Sequence, residues 1–183
     1  MAGTKTISQA NFTYDPQISA FNTTFWKTLS GTDPGITSNK IRINAREIAT
    51  FGVYLFGDIE FTITVPAVPT AADARSWGFK SPSLGDRGRV EFDITGTTFS
   101  AKVGDNGGTV TTTTIPWLST YTNTATRFRI SWTGQRVTFQ VNELTVATSD
   151  LTQSDIPLQT HVNNGNADNM DVTAIIWRSS SLT

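Results

Sequence analysis

Residues 127 to 141 alternate with a period of two. Phe128, Ile130 and Trp132 interleave with Arg127, Arg129 and Ser131. After the polar break Thr133-Gly134-Gln135, Val137, Phe139 and Val141 interleave with Arg136, Thr138 and Gln140. Successive side chains of a strand point to opposite faces, so this pattern buries one set and wets the other. A glycine-containing break between two such runs reads as a hairpin. The segment therefore predicts an antiparallel sheet with one polar face. That excludes helical bundles and most parallel-sheet enzymes, and it directs the search for function to a sheet face or a loop.

The same reading extends along the chain. Strands are expected at Thr24–Leu29, Lys40–Asn44, Asp58–Val65, Arg75–Lys80, Arg89–Thr95, Thr98–Val103 and 109–115. Thr50–Phe56 is nearly all apolar and is expected either to be buried on both faces or to sit where sheets cross. Ser30–Asn39 reads as a loop around Asp33-Pro34-Gly35, and Pro66 and Pro69 close the Asp58–Val65 strand. Gly96-Thr97 and Asp105-Asn106-Gly107-Gly108 read as turns. Strands every eight to twelve residues with turn signals between them indicate a β-sandwich or barrel. About one residue in six is Thr, a residue that suits a pleated, half-buried surface. Residues 1–24, with Phe12, Tyr14, Ile18 and Phe21 scattered among polar neighbours, read as an N-terminal arm or edge strand. Residues 25–183 read as a single β-sandwich domain.

The net charge is −1, so no basic field exists to hold a nucleic-acid backbone. No apolar run approaches the length that inserts in a membrane. Without cysteine there is no disulfide, thiolate metal site or cysteine nucleophile. His161 is the single histidine. It reads as an exposed strand residue, and no Gly-x-Ser-x-Gly elbow accompanies it. The N-terminus shows no secretory h-region. A cysteine-free, Thr/Asn/Gly-rich β protein of this kind points to a virion or extracellular surface.

From about Gly52 to Trp177, the order of segments resembles the concanavalin-type lectin/glucanase jelly roll. GDIEFTITVP resembles the strand ending in proline of laminarinase-type glucanases. RSWGF followed by a loop and RVEFDIT resembles the Trp-bearing strand and the catalytic strand after it. TRFRISWTGQRVTFQVNELTVAT, IPLQTHVNNG and DVTAIIWR resemble the family's later strands. The resemblance implies an all-β antiparallel sandwich. It also implies a Glu-x-Asp-x-(x)-Glu strand, with nucleophile and acid/base about 5 Å apart on a concave face. Glu91-Phe92-Asp93 matches its first two carboxylates. The acid/base position falls on Thr95 or Gly96, neither of which is a carboxylic acid, so the resemblance implies a degenerate site at most. The bland alternative makes Glu91 and Asp93 ordinary solvent-facing residues beside Arg89.

The expected function is therefore a non-enzymatic structural or interaction module of a surface assembly, such as a phage capsid decoration or tail-fibre protein. Such a module would be a homo-oligomer or bind assembly neighbours, its arm either packed over its own sandwich or ordered against another subunit. The alternative is a lectin-like carbohydrate-binding domain, its glycan held on the concave face around Arg75, Glu91, Asp93 and Arg129. Trp117 and Tyr121 are its best stacking residues, unless they cap the sandwich. No cofactor is expected. Asp168 and Asp171, in the Asx-rich run 163–171, are weak candidates for a structural calcium.

Overall fold

A computed structural model describes residues 12–14, 26–50, 57–81, 88–104, 109–133, 136–150 and 158–178. Among these residues the chain forms two antiparallel sheets. The eight-stranded sheet contains β1 (Phe12–Tyr14), β3 (Gly35–Thr37), β4 (Lys40–Ile43), β6 (Gly57–Thr64), β11 (Thr126–Trp132), β12 (Arg136–Val141), β13 (Leu144–Asp150) and β15 (Met170–Arg178). Its order is β13-β12-β11-β6-β15-β4-β3, and β1 pairs with β15 beside β4. The seven-stranded sheet contains β2 (Trp26–Ser30), β5 (Arg46–Thr50), β7 (Ala74–Lys80), β8 (Arg89–Thr95), β9 (Thr98–Gly104), β10 (Val110–Ile115) and β14 (Gln159–Asn164). Its order is β10-β9-β8-β7-β14-β5-β2. The chain passes repeatedly from one sheet to the other, so one core serves both. No α-helix occurs among the described residues; Ser119–Tyr121 is a single 3-10 turn.

The alternation decides the core. Phe128, Ile130, Trp132, Val137, Phe139 and Val141 are all buried, as their phase requires. They face Val90, Phe92 and Ile94 of β8 and Trp77 and Phe79 of β7. Phe92 packs edge-on against Phe128 and Phe139, at centroid separations of 5.4 and 5.1 Å. Such aromatic pairs add stability beyond the area that they bury.

Several turns need left-handed backbone. Ser38 and Asn39 have φ of 50° and 63°, and Asn142 and Glu143 of 48° and 72°. Two consecutive positive φ values form the tight turn that matches strand twist. The first pair joins β3 to β4, so the expected loop at Ser30–Asn39 contains a short hairpin strand. Its cue was Ser-Asn rather than the stronger Asn-Gly. The strand at Arg46–Thr50 also went unread, because Ala45 and the polar Arg46 and Glu47 hide its alternation. The Thr50–Phe56 expectation falls, from Phe51 on, outside the described residues, as does the turn at Asp105–Gly108. Within the arm, β1 pairs with β15 of the same chain, so this segment finds a strand partner without a second subunit.

Candidate active site on the outer face of the seven-stranded sheet

β8 presents Val90, Phe92 and Ile94 to the core and Glu91 and Asp93 to the opposite, outer face. Its ladder with β9 is regular from Arg89↔Gly104 to Thr95↔Thr98. Thr95 is thus in phase with the two carboxylates, and its hydroxyl donates to Asp93 Oδ1 at 2.7 Å. Gly96, at φ 59°, already belongs to the turn. Of the two positions that the motif left open, the fold selects Thr95.

Glu91 and Asp93 were expected to be solvent-facing; they are 2% and 8% exposed. The cause is a set of charged neighbours, one on β8 itself and one on the adjacent β9. Arg89 Nη1 lies 2.8 Å from Glu91 Oε1, and Lys102 Nζ lies 2.7 Å from Asp93 Oδ1. The expectation for His161 also needs correction. It is 1% exposed, and its Nε2 lies 2.7 Å from Glu91 Oε2. Its Nδ1 lies 3.5 Å from Glu47 Oε1, an ionic approach rather than a well-directed hydrogen bond. Lys80 Nζ lies 3.2 Å from the same Glu47 oxygen. Sequence reading missed both His161 and Glu47. The available signal was phase: His161 alternates with the apolar Val162, and Glu47 with the apolar Ile48.

These contacts set protonation. Burial disfavours charge on Glu91, but the His161 hydrogen bond and the charges of His161, Arg89 and Lys80 outweigh it. Its pKa lies below the ordinary value. Burial likewise opposes charge on His161, and the close approach of Glu47, the hydrogen bond to Glu91 and the charges of both carboxylates overcome it, raising its pKa above 6.5. The His161 contact, against the opposing effect of burial, brings Glu47 down to about 2. The trio is an imidazolium between two carboxylates.

This has a consequence for stability. His161 binds its proton more tightly when folded, so its contribution is complete below pH 6.5 and fades as pH rises through the raised value. Glu47 and Glu91 bind theirs more weakly, so their contribution is complete above pH 4.5 and fades as pH falls below it. Thermal melting should therefore peak between pH 4.5 and 6.5. His161→Gln should remove the alkaline decline, and a melting temperature flat from pH 6.5 upward in the unsubstituted protein would refute the assignment.

The other expected site residues lie elsewhere. Arg75 is on β7 opposite Ile94, on the core side at one end of the sandwich, not on the outer face. It is 1% exposed, and Nη2 donates to both carboxylate oxygens of Asp168 at 2.7 Å. Asp73 and Asn164 complete its partners. Arg129 is on the outer face of the other sheet, fork-bonded to Asp58. Trp117 and Tyr121 pack edge-on at 5.5 Å, with Trp117 against Phe99, and so cap the core. Of the expected ligand set, Glu91 and Asp93 alone share the outer face of this sheet, because Arg75 has the opposite phase, Arg129 is on the other sheet and Trp117 and Tyr121 pack against each other at the core. Asp168 is engaged by Arg75. Asp171 accepts two bonds from Arg42, at 2.9 and 3.1 Å. A calcium ion at either would compete with a guanidinium.

The sequence matches no protein-family model and no curated protein. The fold does match solved structures. The catalytic domain of an endo-1,3-β-glucanase (laminarinase) from Thermotoga petrophila superposes with a TM-score of 0.71 at 12% identity, over 95% of this chain and 99% of that one. A Bacillus licheniformis β-glucanase gives 0.69 at 13% identity, over 93% and 98%. The Crh5 transglycosylase in complex with NAG gives 0.71 at 18% identity, over 97% and 89%. The expectation of a non-enzymatic module is corrected by these matches, since the architecture shared over nearly the whole chain is that of glucanases and a transglycosylase. The chain has the jelly-roll fold of the laminarinase and β-glucanase catalytic domains.

Proposed function

We propose that this protein acts on a glycan laid across the outer face of the seven-stranded sheet, with Glu91 as the reactive carboxylate. The observation that carries this reading is the alternation of Glu91, Asp93 and Thr95 on one face of β8, with Glu91 held ionised by its neighbours. An ionised carboxylate is what attack on an anomeric carbon requires. Glu91 is buried in its ion pairs, so Arg89, on the same strand, must leave Oε1 as the sugar enters. Glu91 Oε1 then bonds to the anomeric carbon while the bond to the leaving oxygen breaks. Water or a second sugar hydroxyl resolves the glycosyl ester.

Thr95 bears on the substrate. Its hydroxyl is too weak an acid to protonate a departing sugar oxygen, and a positioned acid is worth roughly 10²–10⁴-fold. The protein should therefore favour glycosides whose leaving group departs as a stable anion. Nitrophenyl β-glycosides should be turned over and Glu91→Gln should abolish this. Thr95→Glu should raise turnover of laminarin by about tenfold or more. If neither nitrophenyl glycosides nor laminarin are cleaved or transferred, this reading fails.

A further inference from the structure

His161 and Glu91 are not on neighbouring strands. β7 lies between β14 and β8, so their backbones are separated by two strand spacings, about 10 Å. They meet because of what lies between them. Gly78 is the register partner of both Glu91 and His161, and it places no side chain in the path. Glycine is required there for an independent reason. Its φ is +148°, and a Cβ would fall 2.4 Å from Val90 O and 2.7 Å from Glu91 Cα. On the other flank the register partner of His161 is Ala49, whose methyl leaves room for the diagonal approach of Glu47. The row Ala49, His161, Gly78, Glu91, Lys102 thus runs across five strands with its two small residues on either side of the imidazole.

The ionisable groups around the ring come from every strand that flanks it. β5 supplies Glu47, β7 supplies Lys80, and β8 supplies Glu91 with Arg89 paired to it. Asp93 and Lys102 neutralise each other further along β8 and β9. The two carboxylates that reach the imidazole do so from opposite sides, one at each ring nitrogen.

We infer that His161 is the positioning residue of the proposed site: held between Glu47 and Glu91, it fixes the Glu91 carboxylate and keeps it free of a proton. This rests on the reading of Glu91 as the reactive group, but the pairing can be measured without any substrate. His161 acts through Glu91 and need not touch the sugar. Its exchange for a neutral amide should let Glu91 take up a proton at higher pH, and so move the acid limb of a pH–rate profile upward. It should lower kcat more than it raises KM, since ground-state binding of the sugar does not depend on the imidazole.

As the single histidine, His161 gives one imidazole signal in NMR of the intact protein. We expect its titration midpoint above 6.5, and lower in Glu47→Gln and in Glu91→Gln. The carboxyl carbon of Glu91 should titrate below 4.5 in the unsubstituted protein and about one pH unit or more higher in His161→Asn. A histidine midpoint at or below 6.5, or a Glu91 midpoint unmoved by His161→Asn, would overturn the inference. If His161→Asn does not fold, the histidine midpoints of the unsubstituted protein and of Glu47→Gln decide the matter. Where nitrophenyl glycosides are turned over, the acid limb should move with the Glu91 midpoint. Midpoints as expected with no turnover would leave the pairing intact and sink the glycosyl-transfer reading instead.

Discussion

Phe139→Ala should destabilise the protein by about 3–5 kcal/mol, as large-to-small substitutions of buried aromatics do. Phe139 is fully buried. It is opposite Ile130 on β11 and Ala147 on β13, and its ring meets Phe92 of the other sheet at 5.1 Å. The cavity would therefore open at the contact between the sheets, where three strands and a facing ring hold its walls apart and resist collapse. Against a typical total of about 5–15 kcal/mol, such a loss is a large share. Urea unfolding of the two proteins measures it, and a difference under about 1 kcal/mol would show that the two sheets do not pack through this ring.

Gly78→Ala should cost a comparable amount, about 2–6 kcal/mol, because a strained φ and an overpacked contact each cost about 1–3. The obstruction is backbone. The added methyl would meet Val90 O, Glu91 Cα and the Cδ1 of Ile130 across the core. β8 must then shift, since a carbonyl in a sheet ladder cannot rotate away as a side chain end can. The same shift would carry Glu91 away from His161. Two readouts should therefore change together, the unfolding midpoint in urea and the imidazole titration of His161. An alanine variant of unchanged stability would mean that β7 does not run so close to β8.

Local pattern made much of the fold legible. The alternation at Asp58–Val65, Arg89–Thr95 and 127–141 placed β6, β8, β11 and β12 with nearly their observed bounds. The core side of each followed from phase alone, because a pleated strand has only two faces. Gly96-Thr97 marked the β8–β9 hairpin. Where local signal was thin, strands were missed. Arg46–Thr50 pairs on both sides with distant segments, β14 and β2, and nothing within five residues announces this.

The site was less legible. Glu91 and Asp93 could be read as a pair because their spacing is two and their strand is clean. Arg75 and Arg129 were grouped with them by charge, although Arg75 shares the phase of the core residues Trp77 and Phe79; for Arg129, sequence phase cannot say which sheet its strand joins. The expected absence of activity rested on the missing carboxylic acid alone. A missing acid limits which leaving groups can depart but does not identify a non-enzymatic fold.

By itself, then, the sequence determined the β class, the phase of the long strands and the carboxylates that share a face with Thr95. Those are properties of residues one to seven positions apart, and period-two geometry is enough to fix them. Only the tertiary structure decided that His161 and Glu47 join Glu91. His161 is seventy positions from Glu91 along the chain, and their meeting depends on strand order, on the register of β14 against β7 and on the bare backbone of Gly78 between them. Burial of His161 and Glu91, and the protonation that their neighbours impose, belong to the same level. An exposed histidine and an exposed glutamate would keep their ordinary titration, whereas neighbours drawn from four strands of one sheet give these two their shifted values.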